Sequence, residues 1–429
     1  MMLGILFGLF FLLLFIGMPV AYGMVISAVV TLFFDPSLTG IIIPQKLFTG
    51  MDSFSLMAVP FFMLAGTLME KSGITDILVN WAKSLVGHFK GGLGHATIVT
   101  GVVMAGVSGS ANADTSALAS ILVPIMRKDG YDDGYSCALV SSCGALGPVI
   151  PPSIMMVLYS GVTSIAIGKL FMAGIMPGIL LAVSFCVMHG IRYGHVEKRA
   201  SVKLTFKEFV STFFQAIFAL GMPILILGGI YGGIFTPTEA AAVSCIYAII
   251  VGCVIYRNLS FKQIWKSVCE ISVRVSSMLT IVCCATAMAW FVSSSGLAAA
   301  VSKAVLAGLS NKFAILTVVN LLLFVLGCII DPTSIILLTC PIIIPITQAL
   351  GLSSVHVGAF MIMNIAVGMV TPPFAGTLYI SNQLADERNM GAVVRKLIPY
   401  IVMMFMITLV VAYIPQLSIA LPKVLGMTV

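Results

Sequence analysis

Thirty-four residues, Met1 to Phe34, pass before the first charged side chain, and the first basic residue is Lys46. Apolar runs of this kind recur throughout the 429 residues, so 60% are hydrophobic and only 9% charged. A typical soluble domain carries roughly 25% charged residues. A water-soluble fold of this size could not cover its surface with so few. A soluble globular protein, a disordered chain and a nucleic-acid binder are excluded together. The formal charge of +7 lies in loops between apolar runs, not along a phosphate-binding stripe. The chain reads as a polytopic membrane protein.

A spanning helix needs about 20 apolar residues, which leaves room for roughly ten to twelve segments. The stretch Leu3–Phe34, interrupted at Pro19, reads as one long retained span, since it lacks the positive n-region of a cleaved signal. Phe171–Ile191, Phe213–Phe235 and Ala240–Tyr256 are the cleanest ordinary spans. The ten cysteines lie mostly in apolar stretches without a CxxC pair and read as buried free thiols. Arg192, Lys198, Arg199, Lys203 and Lys207 fall in one connection, and Arg257, Lys262, Lys266 and Arg274 in another two spans later. Both loops therefore lie on one side, which the positive-inside rule makes cytoplasmic. Between them and the next span, Leu259–Ser272 reads as an amphipathic helix along that interface, with Phe261, Ile264, Trp265 and Val268 on one face.

Two blocks resemble each other. Gly147-Pro148-Val149-Ile150-Pro151-Pro152 and Gly368-Met369-Val370-Thr371-Pro372-Pro373 are both G-x-x-x-P-P, at an offset of 372 − 151 = 221 residues. At the same offset Pro124 meets Pro345, and Asp114 and Asp331 each lie upstream of their break. Repeated Gly/Pro-interrupted spans are the sequence pointer to the binding site of a secondary transporter. Non-helical backbone survives at membrane depth only where protein buries it or a polar cavity receives it. The paired prolines remove two N–H donors and break the helix. The carbonyls of Gly147 and Ile150, and of Gly368 and Thr371, are then expected free to hold a hard cation such as sodium.

Small polar residues supply the rest. Ser108-Gly109-Ser110-Ala111-Asn112-Ala113-Asp114-Thr115-Ser116 is expected to form the tip of a membrane hairpin, where small residues permit close packing. Asp331-Pro332-Thr333-Ser334 is its counterpart. Intramembrane carboxylates are costly, which makes both aspartates functional hypotheses. Asp331 before a proline also suits the capping of a helix N-terminus.

Together with Gly17-Met18-Pro19-Val20-Ala21, Leu47–Phe54, Pro60–Gly66 and Phe235-Thr236-Pro237-Thr238-Glu239-Ala240, these motifs resemble the large membrane subunit of TRAP transporters, the DctM/SiaM type, over essentially the whole chain. The resemblance implies an all-α fold of inverted repeats, each with a re-entrant hairpin and a broken helix, and an elevator-type transport domain within a helical scaffold. It implies sodium-driven uptake of an organic acid delivered by a periplasmic binding protein, a small four-helix membrane subunit as partner, and the bacterial inner membrane as location. No organic cofactor is expected. One sodium site is carried over to Ser108, Ser110, Gly147, Ile150 and Pro152. A second is carried over to Asp331, Thr333, Gly368, Thr371 and Pro373. Asn112, Asp114, Thr115, Ser116, Ser153 and Thr377 are expected around the solute and hairpin, with Asp114 organising the first hairpin rather than touching the ion. The small subunit is not expected to be fused here, because the chain opens directly on the large subunit's motif.

The implied organisation places scaffold helices at 1–70 and the first repeat at 71–190, with its hairpin about 105–128 and its broken helix about 136–162. Scaffold helices with the interfacial segment follow at 191–274. The second repeat occupies 275–397, with its hairpin about 328–350 and its broken helix about 355–382, and 398–429 forms a terminal helix. Sialic acid is the favoured solute, with C4-dicarboxylates and sugar acids as alternatives. No arginine lies between Val107 and Ser153 except Arg127, so helix N-termini and hydroxyls are expected to receive the carboxylate. An intramembrane protease is disfavoured, since neither aspartate sits in a YD or GxGD context. A channel would more often line its pore with identical subunits, and a stand-alone sodium–carboxylate symporter remains the nearest rival.

Overall fold

The computed structural model describes residues 2–34, 39–193, 206–294, 311–384 and 389–428. Among these the regular elements are all helical. Seven helical stretches are long and apolar enough to cross a membrane, and several shorter apolar helices accompany them. Among the described residues the apolar segments expected from the sequence therefore divide between these stretches and shorter apolar helices, several of them hairpin arms or half-helices.

The amino-terminal run is not one interrupted span. Helices α1 (Met2–Phe15) and α2 (Val20–Leu32) pack against each other. The turn between them needs Gly17, whose φ of +89° is open to glycine without strain, and Pro19 starts the second helix. Helices α3 (Ile42–Met51), α4 (Ala58–Lys71) and α5 (Ile74–Val86) follow. The first hairpin is α6 (Gly92–Ser108) and α7 (Ala111–Lys128), so its first arm starts well before the expected residue 105. The first broken helix is α8 (Asp133–Gly144) and α9 (Ile154–Thr163), followed by α10 (Ile167–Tyr193). Next come α11 (Phe206–Tyr231), α12 (Pro237–Ile250) and α13 (Phe261–Ser294).

The 34 residues of α13 extend about 50 Å at 1.5 Å per residue. The separate interfacial helix expected at Leu259–Ser272 is instead the first part of this element, which continues through the Val275–Val292 span. No glycine or proline between Phe261 and Ser294 interrupts it. The second hairpin is α14 (Lys312–Gly327) and α15 (Pro332–Ala349), again longer than the expected 328–350. Its broken helix is α16 (Ser354–Val370) and α17 (Gly376–Leu384), and α18 (Met390–Tyr413) and α19 (Gln416–Val424) complete the chain.

The repeat is legible in the helix starts. Ala111 and Asp133 recur 221 residues later at Pro332 and Ser354. The two repeats interlock. Half-helix α17 packs on α7 and α8 of the first repeat, and half-helix α9 packs on α15 and α16 of the second. Thr377 seals one junction, with its hydroxyl 2.9 Å from Ser141 Oγ and 3.0 Å from the Met369 carbonyl. Around this unit, α12 packs on α4, and α13 packs on α2, α3 and α4 while also touching α15.

Candidate functional site

Each repeat seats its hairpin tip on its own helix break. In the first, Gly109 forms the tip with φ +62°, and its carbonyl accepts the Ile154 N–H at 3.4 Å. A Cβ there would lie 2.3 Å from the Pro152 carbonyl oxygen, so only glycine fits. In the second, the Cys328 carbonyl accepts the Phe374 N–H at 3.2 Å. A Cβ on Gly368 would come within 2.5 Å of Gly327 backbone. Both Pro–Pro bonds, 151–152 and 372–373, are cis.

The first junction is buried. Ser108 Oγ donates to Asp114 Oδ1 at 2.6 Å and accepts the Ser110 N–H at 3.1 Å. Asp114 is fully buried, yet its Oδ2 has no hydrogen-bond partner. That oxygen lies beside Gly147, where a Cβ would sit 2.7 Å from it. No described donor reaches the carbonyl oxygen of Gly147 or Ile150. Organising the hairpin therefore occupies one carboxylate oxygen of Asp114 and leaves the other unmet. Pro152 is buried at the same junction.

The second junction is more open and more self-satisfied. Asp331 caps α15, accepting the Ser334 N–H at 3.0 Å and also the Ser334 hydroxyl. The carbonyls of Gly368 and Thr371, expected free, accept the N–H groups of Thr371 at 3.0 Å and Ala375 at 3.3 Å. The Thr371 hydroxyl is turned back to the Val367 carbonyl. Thr333 is buried and Pro373 is exposed.

Of the residues expected around the solute, three are committed to local structure. Thr115 Oγ1 donates to the Ala111 carbonyl at 2.7 Å and packs on Gly144. Ser153 caps α9, donating to the Pro148 carbonyl and accepting the Met156 N–H. Thr377 joins the repeats. Ser110, Asn112 and Ser116 instead line a cavity of about 800 Å³ shared with Met63, Thr67, Glu70, Lys71, Glu270, Arg274 and Gln383. The charged side chains of that wall, on α4 and α13, escaped the sequence reading, which looked for arginine only near the first block. The signal was present in Glu70-Lys71 and Arg274, charges at the edges of apolar runs.

A second cavity of about 580 Å³ borders the other end of α13, with Lys46, Thr286, Trp290 and Gln348 in its wall. Arg274 and Trp290 are about 24 Å apart along the helix. The second hairpin meets this cavity through residues 337–348 of its arm rather than its tip. Among the described residues no cluster of three or more His, Cys, Asp or Glu could hold a metal. Oxygen donors at the junctions suit a hard cation better than a soft transition metal.

Two hairpin tips seated on two proline-broken helices, in a chain this apolar, define a secondary transporter. Comparison with known proteins agrees. Residues 7–417 match the family "Tripartite ATP-independent periplasmic transporter, DctM component", and the chain belongs to that family as a multi-pass inner-membrane permease subunit, not an enzyme. It is 36% identical over 418 residues to the sialic acid TRAP transporter large permease protein SiaM of Vibrio cholerae, covering 96% of each chain. It is 34% identical to the C4-dicarboxylate TRAP transporter large permease protein DctM of Rhodobacter capsulatus, over 99% of each. It is 35% identical to the isethionate TRAP transporter permease protein DctMQ of Oleidesulfovibrio alaskensis, over 97% of this chain and 65% of that one. The fold is shared with the Alcanivorax borkumensis YdaH transporter at a TM-score of 0.59 and 16% identity, covering 86% of each chain.

Proposed function

We propose that this chain is the solute-carrying subunit of a sodium-driven uptake system for an organic acid, working with a small four-helix membrane subunit and a periplasmic solute-binding protein. The observation that carries sodium coupling is the first junction. A buried carboxylate oxygen without a partner faces a break whose carbonyls at Gly147 and Ile150 are also unmet. Such an oxygen set is costly to bury empty and is compensated by a hard cation. Sodium enters as co-substrate, held by Asp114, Gly147 and Ile150 with Ser108, Ser110 and Pro152 around it. The second junction, at Asp331, Thr333, Gly368, Thr371 and Pro373, is proposed as the repeat-related ion site by its place in the repeat alone, since its carbonyls already accept N–H groups and offer only their second lone pairs.

The interlocked unit of α6–α10 and α14–α18 is the moving body of an elevator, its two repeats inverted, and α1–α5 with α11–α13 form the scaffold. This division departs from the boundaries expected at 71, 275 and 397, and is supported by the packing of α5 on α11 and of the unbroken α13 on α2, α3 and α4. Sialic acid is the solute to test first.

The test is reconstitution with the small subunit under an inward sodium gradient. Uptake is expected to be slight with free solute and strong once the cognate binding protein is added. A weak membrane site suffices when a partner delivers solute at high local concentration. Robust uptake of free solute without a binding protein would favour a stand-alone symporter.

A further inference from the structure

We infer that the cavity beside the first hairpin tip selects a hydroxylated monocarboxylic acid over a dicarboxylic one, with Arg274 receiving the carboxylate. This rests on the transport reading above and narrows its solute. Four charged residues line the cavity: Glu70, Lys71, Glu270 and Arg274. Two of them neutralise each other, since Lys71 Nζ lies 2.7 Å from Glu270 Oε2. Arg274, on α13, feels Glu70 and Glu270 electrostatically but makes no ion pair with either. The Glu70 carboxylate likewise makes no ion pair or hydrogen bond among the described residues. Among the described lining residues, the cavity therefore offers one open guanidinium and one open carboxylate.

The remaining polar wall consists of Thr67, Ser110, Asn112, Ser116 and Gln383. A guanidinium binds a carboxylate through two parallel N–H donors. Hydroxyls of the same solute can donate to Glu70 and exchange hydrogen bonds with the hydroxyl and amide row. A dicarboxylate would bring its second charge into a wall with no second open cation, next to Glu70. Like charges placed together reject a ligand as effectively as good contacts accept one. The cavity volume of about 800 Å³ accommodates a sugar-acid-sized solute.

The test titrates the purified complex of this chain and its small subunit, at saturating sodium, with sialic acid, gluconate and succinate by calorimetry. Sialic acid and gluconate are expected to bind at least about tenfold more tightly than succinate. Arg274→Gln should weaken both roughly tenfold or more, the scale of a lost charge-assisted hydrogen bond, and Arg274→Lys should restore part of it. Lys262→Gln, the same charge change on the same helix but outside the cavity, should leave binding unchanged. Glu70→Gln should raise succinate affinity toward that of gluconate, a gain that a merely misfolded variant cannot give. Equal binding of succinate by the wild type, no binding of any probe, or unchanged affinities in Arg274→Gln would overturn the assignment. Sodium-driven uptake with the binding protein reads the transport function separately. Uptake without Arg274-dependent binding rejects only the cavity assignment, whereas such binding without any sodium-driven uptake rejects only the transport reading.

Discussion

Replacing Gly147 by alanine adds a single methyl group at the first junction, and the structure says what it meets. The new Cβ would lie 2.7 Å from Asp114 Oδ2, 3.0 Å from the Ala111 nitrogen and 3.0 Å from the Ser110 carbonyl carbon. Gly147 is not in the left-handed region, so alanine adopts its backbone and the perturbation is steric alone. Ordinary contact begins near 3.4 Å, so each neighbour must recede by several tenths of an ångström. Two of the three are backbone atoms of the hairpin tip, which cannot give way separately. The tip has to lift from the break as a unit. Overpacking of this kind costs about 1–3 kcal/mol. If sodium binds only when the tip is seated, that cost appears as a rise of roughly 5- to 150-fold in the sodium concentration for half-maximal uptake. The assay is a sodium titration of uptake in proteoliposomes, with thermal unfolding of the same preparation. Gly228→Ala, whose Cβ meets nothing within 4 Å, is the control. A Gly147→Ala protein with wild-type sodium dependence and wild-type unfolding temperature would refute the seated-tip argument.

Asp114→Asn keeps the shape and an acceptor for Ser108 but removes the charge, and should raise half-maximal sodium about tenfold or more with little change in unfolding temperature; unchanged sodium activation would remove Asp114 from the ion site. Thr377→Val severs the hydroxyl link between repeats and should cost about 1 kcal/mol of stability while leaving sodium dependence alone, which a thermal melt beside the sodium titration checks. For topology, a cysteine at Gln263 should resist an impermeant thiol reagent outside intact cells, and one at Thr236, one α12 crossing away, should react. Labelling of the Gln263 site from outside reverses the orientation.

Much of the site was legible because its signals are local. Two prolines in succession remove N–H donors wherever they fall, so Pro151-Pro152 and Pro372-Pro373 had to mark breaks. The small polar row at Ser108–Ser116 pointed to a hairpin tip, which the structure confines to Gly109 and Ser110, with Ala111–Ser116 forming the first turns of α7. Asp331 before proline read as a cap, and it caps α15. What failed depended on how the backbone turned at a break. The break at Pro19 did not distinguish a kinked span from two packed helices, because only Gly17 and the contact of α1 with α2 decide that. The carbonyls at Gly368 and Thr371 were expected free, but the turn after the break satisfies them with nearby N–H groups.

By itself the sequence determined that the chain lives in a membrane, repeats once, and breaks its helices at two corresponding points. Charge density, period and proline chemistry are properties of short stretches, and no tertiary contact can undo them. The tertiary structure alone decided which oxygens stay unmet and what surrounds them. Asp114 has two equivalent oxygens in sequence, and only the seating of the tip on Gly147 gives one to Ser108 and leaves the other open. Lys71 lies 199 residues before Glu270, itself four before Arg274, yet α4 and α13 bring the three to one cavity wall. Pairing then neutralises one cation and leaves the other available, because ion pairing depends on distance in space and not on position along the chain.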